Sequence, residues 1–162
     1  MKRISLIIKT ALCLLIVCAM TLSLAACDLS KDAVSAKKFA EAAEDLDLIT
    51  QDATDQYGDI DFLKSSTIAA SIDDDTVLWQ AEFMVLKSED DAESSFSKNK
   101  SNFEDEGSGT EVSMNGLNYE SFSKTAGGEY MYLCRVEKTL IYVKVDKEYK
   151  DDVSALIDAI GY

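Results

Sequence analysis

Residues 10–27 form an apolar segment without a charged residue, and this segment divides the chain into two parts of different character. Lys2, Arg3 and Lys9 come before it, so the chain begins with a basic region that leads into a hydrophobic one. This order is typical of a secretion signal. The alternative is a transmembrane helix, but the 18 uncharged residues lie at the short end of the roughly 17 to 25 that a span requires. The pattern therefore favours export of everything that follows.

The apolar segment ends in Leu24, Ala25, Ala26 and Cys27, where small residues come directly before a cysteine. This tetrapeptide resembles the lipobox of bacterial lipoproteins. The resemblance implies that residues 1–26 are a signal peptide and that Cys27 becomes the first residue after cleavage. It further implies that the Cys27 thiol carries a diacylglyceryl group with acyl chains such as palmitate. The lipid would hold the protein on the extracytoplasmic face of the cell membrane.

The cysteine content limits how the exported chain can fold. Cys13 and Cys18 leave with the signal peptide, and lipidation of Cys27 deprives Cys134 of an intramolecular partner. We therefore expect a domain without a disulfide, even though disulfides form readily outside the cytoplasm. Cys134 lies in a strand pattern and is predicted to be a small buried side chain rather than a nucleophile.

The mature chain is predicted to consist of a tether and one acidic domain. Residues 27–34 would be the lipidated cysteine and a short tether, and residues 35–162 a single domain, within the usual size range. Residues 1–26 contain three of the 16 basic residues and none of the 30 acidic ones, which leaves a side-chain charge of −17. Such a charge argues against nucleic acid as a partner and against direct adhesion to anionic lipid headgroups. The membrane, through Cys27, and a protein or cell-wall ligand remain the candidate partners.

Periodicity predicts an α+β fold, an antiparallel β-sheet with helices packed on one face. Apolar residues at spacings of three and four predict helices, and alternation bounded by turn residues predicts strands. The predicted helices are 34–46, 89–102 and 149–160. The predicted strands are 48–54, a strand around 68–72, 76–86, 110–114, 117–123, 130–136 and 140–145. The strand 76–86, with Trp79 on its most apolar face, is the candidate for the centre of the sheet.

Several local signals predict how these elements begin, end and connect. Ser88 is the predicted N-cap of the second helix, which is only weakly apolar and should cover a sheet margin. Asn115-Gly116 favours a tight hairpin turn with positive φ at both positions. The other predicted turns are Asp73 to Asp75, Gly127-Gly128 and Glu137-Lys138. The second and third helices begin with similar acidic segments. This similarity leaves open the hypothesis that a βββα unit is duplicated in the chain.

The mature part also resembles small lipoproteins of Gram-positive bacteria to which no function is assigned. The resemblance runs from Ser35-Ala36-Lys37-Lys38-Phe39 to Leu156-Ile157-Asp158-Ala159-Ile160-Gly161-Tyr162. No known active-site motif lies within it. It therefore supports the extracytoplasmic location and implies no chemistry.

The residue types give little support for catalysis. The chain has no histidine, which excludes histidine triads and histidine-ligated zinc sites. No phosphate-binding loop or nucleophile elbow is present, so we predict no catalytic residue, no metal and no cofactor. Two acidic clusters, Asp55 with Asp59 and Asp61, and Asp73 to Asp75, lack the ligand spacing of a helix-loop-helix calcium site.

Four tyrosines form the candidate binding surface, because tyrosines on neighbouring strands can make an exposed platform for sugars or peptides. They are Tyr119, Tyr130, Tyr132 and Tyr142. The alternative is that they pack beneath a helix. The sequence as a whole predicts a non-catalytic binding or interaction domain held at the membrane. The alternatives are a small carboxylate-based hydrolase acting on cell-wall material and an accessory subunit of an integral membrane complex.

Overall fold

The structure is a computed structural model that describes residues 29–58 and 60–162. The predicted signal peptide and Cys27 lie outside the described residues. Residues Lys31–Tyr162 form one compact unit. This unit starts earlier than residue 35, because the Lys31 N–H donates to Asn118 Oδ1 at 3.0 Å and the Val34 N–H donates to the Tyr162 hydroxyl at 3.1 Å. Residues 31–34, predicted as tether, are therefore part of the domain.

Within the described ranges, helices and strands follow one another in the order predicted. The helices are α1 (Ala36–Glu44), α2 (Glu89–Glu104) and α3 (Lys150–Ile160). The strands are β1 (Ile49–Asp52), β2 (Leu63–Asp73), β3 (Thr76–Leu86), β4 (Thr110–Asn115), β5 (Tyr119–Ala126), β6 (Glu129–Val136) and β7 (Thr139–Asp146). Two single-turn 3₁₀ helices, Thr54–Tyr57 and Lys147–Tyr149, complete the connections.

The strands form one antiparallel sheet in the order β1-β2-β3-β7-β6-β5-β4, which confirms the predicted α+β fold. The central strand is β7, and β3 lies beside it, with Ala81 opposite Val143 and Phe83 opposite Ile141. The prediction that β3 is central was therefore wrong by one position. β7 occupies the centre because it carries buried apolar side chains on both of its faces, Leu140 on one and Ile141 on the other.

Helices cover both faces of the sheet, which corrects the prediction that they share one face. Ile141 packs in a cluster with Phe39 of α1 and Val153 of α3. The next residue in β7, Leu140, points to the opposite face and packs in a second cluster with Phe96 of α2. The physical reason is that the central strands carry apolar side chains on both faces, and helices must pack on both faces to bury them. If the chain contained two copies of a βββα unit, the antiparallel neighbours β3 and β7 would be related by a two-fold axis perpendicular to the sheet. Such an axis would place α2 and α3 on the same face. They lie on opposite faces, which contradicts the duplication.

The turns follow the predictions with one exception. Gly127 and Gly128 adopt φ values of 60° and 94° between the paired residues Ala126 and Glu129, as a tight hairpin turn requires. Asn115-Gly116 is different, because neither residue has positive φ. The Gly116 N–H instead donates to the Tyr119 carbonyl at 2.9 Å, which places the tip of the turn two residues later, at Leu117-Asn118.

Helix α2 begins at the predicted residue, but it does not cover the margin of the sheet as predicted. The Ser88 hydroxyl accepts a hydrogen bond from the Asp91 N–H at 3.1 Å, which confirms Ser88 as N-cap. Phe96 and Phe103 are buried over β6 and β7. The helix therefore covers the middle of its face rather than a margin, since two phenylalanines and Ala92 suffice to close that face.

Lys124 is a buried cation that holds the end of α2. Its side chain is 1% exposed, and its ammonium donates to the Glu104 carbonyl at 2.8 Å and pairs with the Glu111 carboxylate at 2.9 Å. The last carbonyls of a helix have no partner within the helix. Lys124, on strand β5, therefore donates to one of these carbonyls, that of Glu104.

Replacing Lys124 by methionine is expected to lower the free energy of unfolding by about 1 to 3 kcal/mol, because the Glu104 carbonyl loses a charged donor while the packing is kept. Lys37→Met is the matched control and should leave the free energy of unfolding nearly unchanged, since Lys37 and its partner Glu41 are 84% and 58% exposed and surface ion pairs contribute little to stability. Urea unfolding of the residue 28–162 domain measures both. A Lys124→Met domain as stable as wild type would show that burying the ammonium costs as much as its bonds contribute.

Candidate functional site

A groove of about 320 Å³ runs along the α2 face of the sheet. It lies between α2 and the 3₁₀ turn Thr54–Tyr57, on a floor made by β3 and β7. Its lining residues are Tyr57, Phe62, Glu82, Met84, Ser95, Lys98, Asn99 and Tyr142. The volume is at the lower end of the range typical of small-molecule sites, about 300 to 1,000 Å³.

The strand and helix periods place these side chains together. Glu82 and Met84 alternate along β3 with Phe83, whose side chain enters the core of the opposite face. Tyr142 of β7 is the direct register partner of Glu82. The residues from α2 are spaced by three and four positions, which puts them on one side of the helix. The groove floor is thus formed by the unbroken middle of the sheet.

Glu82 is the chemical centre of the groove. Its Oε1 accepts two hydrogen bonds, one from the Tyr57 hydroxyl and one from the buried Ser66 hydroxyl at 2.5 Å. Its Oε2 accepts none from the residues that the structure describes. Burial and the nearby Glu82 charge raise the pKa of Tyr57, so this hydroxyl keeps its proton and remains a donor. The two donors fix the carboxylate and leave one of its oxygens available to a ligand.

The nearest lysine of the sheet is engaged elsewhere. A smaller cavity of about 80 Å³, lined by Gln80, Glu82, Tyr142 and Lys144, adjoins the same carboxylate. Lys144 pairs with Glu106 at 2.7 Å and with Glu129 at 3.3 Å. The hydrogen bond to Glu106 raises the pKa of Lys144, which stays charged but is already paired. Glu82 therefore has hydroxyl donors but no ion pair among the described residues.

The four tyrosines proposed as an exposed platform do not form one. Tyr119 and Tyr130 are buried, at 4% and 7% exposure, and pack in the cluster beneath α1 and α3. Tyr132 is half-buried on the same face. Tyr142 points to the opposite face, where its ring lies 5.1 Å from that of Phe103. The prediction was wrong because α1 and α3 cover the face that carries Tyr119, Tyr130 and Tyr132, while alternation sends Tyr142 to the other face.

Cys134 is buried, as predicted, with 0% exposure. Burial raises the pKa of its thiol to about 11. A thiol in this state is protonated at neutral pH, and the thiolate is the reactive form. Cys134 is therefore a core residue.

The acidic turns are structural where the structure describes them. Asp74 and Asp75 have φ values of 45° and 64° and connect the paired residues Asp73 and Thr76 in a hairpin turn. Asp59, a member of the other predicted cluster, lies outside the described residues. In residues 29–58 and 60–162, no three acidic or cysteine side chains converge as a metal site would require.

Sequence reasoning missed Glu82, although a signal for it was present. In strand β3 a single acid, Glu82, interrupts the run Ala81 to Leu86, which is otherwise apolar. An acid inside a strand that is apolar on both sides needs hydrogen-bond partners. Tyr57 and Ser66, which supply them, are distant in the sequence, so only the folded chain identifies the site.

Comparisons with known protein families, curated sequences and solved structures assign no activity to this chain. No protein-family model matches the chain, and no curated protein sequence matches it. A crystal structure of a GTP-binding regulator from Thermotoga maritima is similar, with a TM-score of 0.47 and 15% identity, over 82% of this chain and 91% of that one. Among the described residues, no helix is long and apolar enough to cross a membrane. The chain is thus an α+β protein with a seven-stranded antiparallel sheet and a groove on one face.

Proposed function

We propose that this protein is a lipid-anchored extracytoplasmic lipoprotein whose domain binds a partner or small ligand without catalysing a reaction. The lipid on Cys27 supplies the location, and the groove around Glu82 supplies the binding site. The observation that carries the proposal is the Glu82 carboxylate, held by two hydroxyls at the floor of a partly apolar groove with one oxygen unoccupied by the described residues.

The groove can bind a cation with an apolar part at Glu82, although a cation of its own, Lys98, also lines it. The free carboxylate oxygen can accept a hydrogen bond from an ammonium or guanidinium group, and such charged bonds are the stronger kind. Phe62, Met84 and the ring of Tyr142 provide apolar walls next to it. The mature charge of −17 further attracts cations. A lysine or arginine side chain of a partner protein, or a small aromatic amine, has the matching chemistry.

The chemistry of the groove favours binding over hydrolysis. A carboxylate-based glycosidase uses two acids on either side of the bond that is cleaved. Glu82 is the only acid among the described residues that line the groove. The second acid that a hydrolase needs is therefore missing from the part of the groove that the structure describes.

Binding of phenethylamine to the residue 28–162 domain is expected to shift the NMR signals of Glu82 and Tyr57. Glu82→Gln should weaken this binding by about ten- to a hundredfold, since a charged hydrogen bond contributes about 1.5 to 3 kcal/mol. Glu93→Gln, which removes an equal charge from the exposed side of α2, should leave it unchanged. N-acetylphenethylamine, which has no positive charge, should bind weakly to every variant.

Two results would contradict the proposal. Equal binding of the amine to wild type and to Glu82→Gln would remove Glu82 from the site. Hydrolysis of cell-wall glycans or peptides by the soluble domain, lost in Glu82→Gln, would make the protein an enzyme and support the hydrolase alternative.

A further inference from the structure

One side chain, Asn118, holds the chain segment that enters the domain. Its Oδ1 accepts a hydrogen bond from the Lys31 N–H at 3.0 Å, and its Nδ2 donates to the Lys31 carbonyl at 2.8 Å. The Lys31 ammonium also lies 5.1 Å from the ring centre of Tyr119. The point where the chain enters the compact unit is therefore fixed beside residues 116–118.

Residues 116–118 belong to a row of turns at one end of the sheet, called here the entry end. Backbone hydrogen bonds of 2.8 to 3.0 Å connect the row from turn to turn, between Asn118 and Glu137, between Lys138 and Leu86, and between Phe62 and Lys87. Two large apolar side chains in this row are exposed, Leu117 at 80% and Phe62 at 46%. Leu117 is the most exposed large apolar residue that the structure describes.

The opposite end of the sheet has a different character. Its β2–β3 turn consists of Asp73, Asp74 and Asp75, all exposed. Three carboxylates are repelled by anionic lipid headgroups, and they lie directly beside the exposed side chains of Ile72 and Val77. Exposed Lys87 and Lys138 lie in the row of turns at the entry end, together with one exposed acid of that row, Glu137. The two ends of the domain thus differ in their expected attraction to a membrane surface.

The short segment between Cys27 and Lys31 limits the distance between the entry end and a lipid on Cys27. Cys27 precedes Lys31 by four residues, which span at most about 14 Å when fully extended. Leu117 is the neighbour of the residue that clamps Lys31. A lipid on Cys27 would therefore hold Leu117 close to the headgroup layer.

We propose that the entry end is a membrane-docking surface, with Leu117 inserted between the headgroups and Asn118 fixing the orientation of the domain. This inference rests on the proposed lipid anchor. Exposed leucine side chains partition favourably into the interface, and lysines next to them can reach lipid phosphates. Docking in this way turns the sheet end that carries Asp73 to Asp75 away from the membrane.

The test uses the lipidated protein produced from the full sequence and reconstituted in vesicles of phosphatidylglycerol and phosphatidylethanolamine in equal parts. A Leu117→Cys variant and the control Asp74→Cys are each labelled with an environment-sensitive NBD fluorophore. Cys134 stays unlabelled because its thiol is buried and mostly protonated. Vesicle binding is expected to blue-shift the emission of the label at position 117, and lipids with a quencher near the headgroup are expected to quench it. The label at position 74 should show neither change. Adding Asn118→Ala should reduce the quenching at position 117 while the protein still sediments with the vesicles.

The outcomes separate this inference from the anchor on which it rests. Protein that does not sediment with the vesicles at all overturns the anchor and the docking surface together. Protein that sediments but shows no quenching at position 117, or equal quenching at positions 117 and 74, overturns the docking surface alone. A label at position 117 that is shielded in native membranes but not in protein-free vesicles also overturns it, and assigns this end to a membrane protein.

Discussion

Replacing Phe83 by alanine is expected to lower the free energy of unfolding by about 3 to 5 kcal/mol, the cost typical of a buried phenylalanine. Phe83 is fully buried in β3, and its ring stacks on that of Phe39 at a centroid distance of 4.8 Å. It therefore joins α1 to the sheet. Urea unfolding of the residue 28–162 domain, followed through the fluorescence of Trp79, measures the loss.

Val77→Ala is the control for Phe83→Ala, because Val77 lies on the same strand but is 52% exposed. Its effect should stay within about 0.5 kcal/mol, as is usual for surface substitutions. A double-mutant cycle with Phe39→Ala should give a coupling of about 0.5 to 1.5 kcal/mol, the value expected for aromatic pairs. A loss below about 1 kcal/mol for Phe83→Ala would mean that α1 contributes little to the stability of the sheet.

Replacing Cys27 by serine is expected to abolish membrane retention almost completely and to leave an unprocessed or misplaced precursor. In the proposed lipoprotein, a serine hydroxyl would not replace the Cys27 thiol as acceptor of the diacylglyceryl group, and without the lipid the chain would have no anchor. Each methylene of an acyl chain contributes about 0.8 kcal/mol to membrane binding, so the loss of the lipid is not offset by one exposed leucine. Membrane fractionation and metabolic labelling with an alkyne-bearing palmitate analogue measure retention and lipidation.

Cys134→Ala is the matched control for the lipidation experiment, because Cys134 is the only cysteine within the described residues and is buried. It should remain labelled by the palmitate analogue and remain in the membrane fraction. Absence of label in the wild-type protein would contradict the lipoprotein assignment. Label that persists in Cys27→Ser would place the lipid on another residue.

Short-range patterns predicted the elements of this fold well, because caps, turns and helix stripes depend on neighbouring residues. Ser88 caps α2, Gly127-Gly128 forms a hairpin turn, and Gly161 ends α3 with φ of 80°. The α+β class followed from the order of the elements. The predicted tight turn at Asn115-Gly116 does not form. The turn forms two residues later than predicted, at Leu117-Asn118, and from there the Asn118 side chain reaches the Lys31 backbone.

Positions of side chains across the sheet could not be read from the sequence in the same way. The tyrosine platform failed because the pairing partner of each strand, and hence its face, depends on contacts between distant residues. The groove could not be predicted for the same reason, since Tyr57, Ser66 and Glu82 come together from three separate elements. A pattern of period two shows that a strand has two faces, but it does not show what covers each of them.

The sequence by itself determined the acidity of this protein and the type and order of its elements, and it predicts an extracytoplasmic location. These properties depend on composition and on interactions within a few residues. The tertiary structure alone decided that α2 covers the face opposite α1 and α3, that residues 31–34 belong to the domain, and that Glu82 lies at the floor of a groove. Each of these features depends on packing between residues far apart in the chain, because burial of both faces of the central strands can be satisfied only when the whole sheet is assembled.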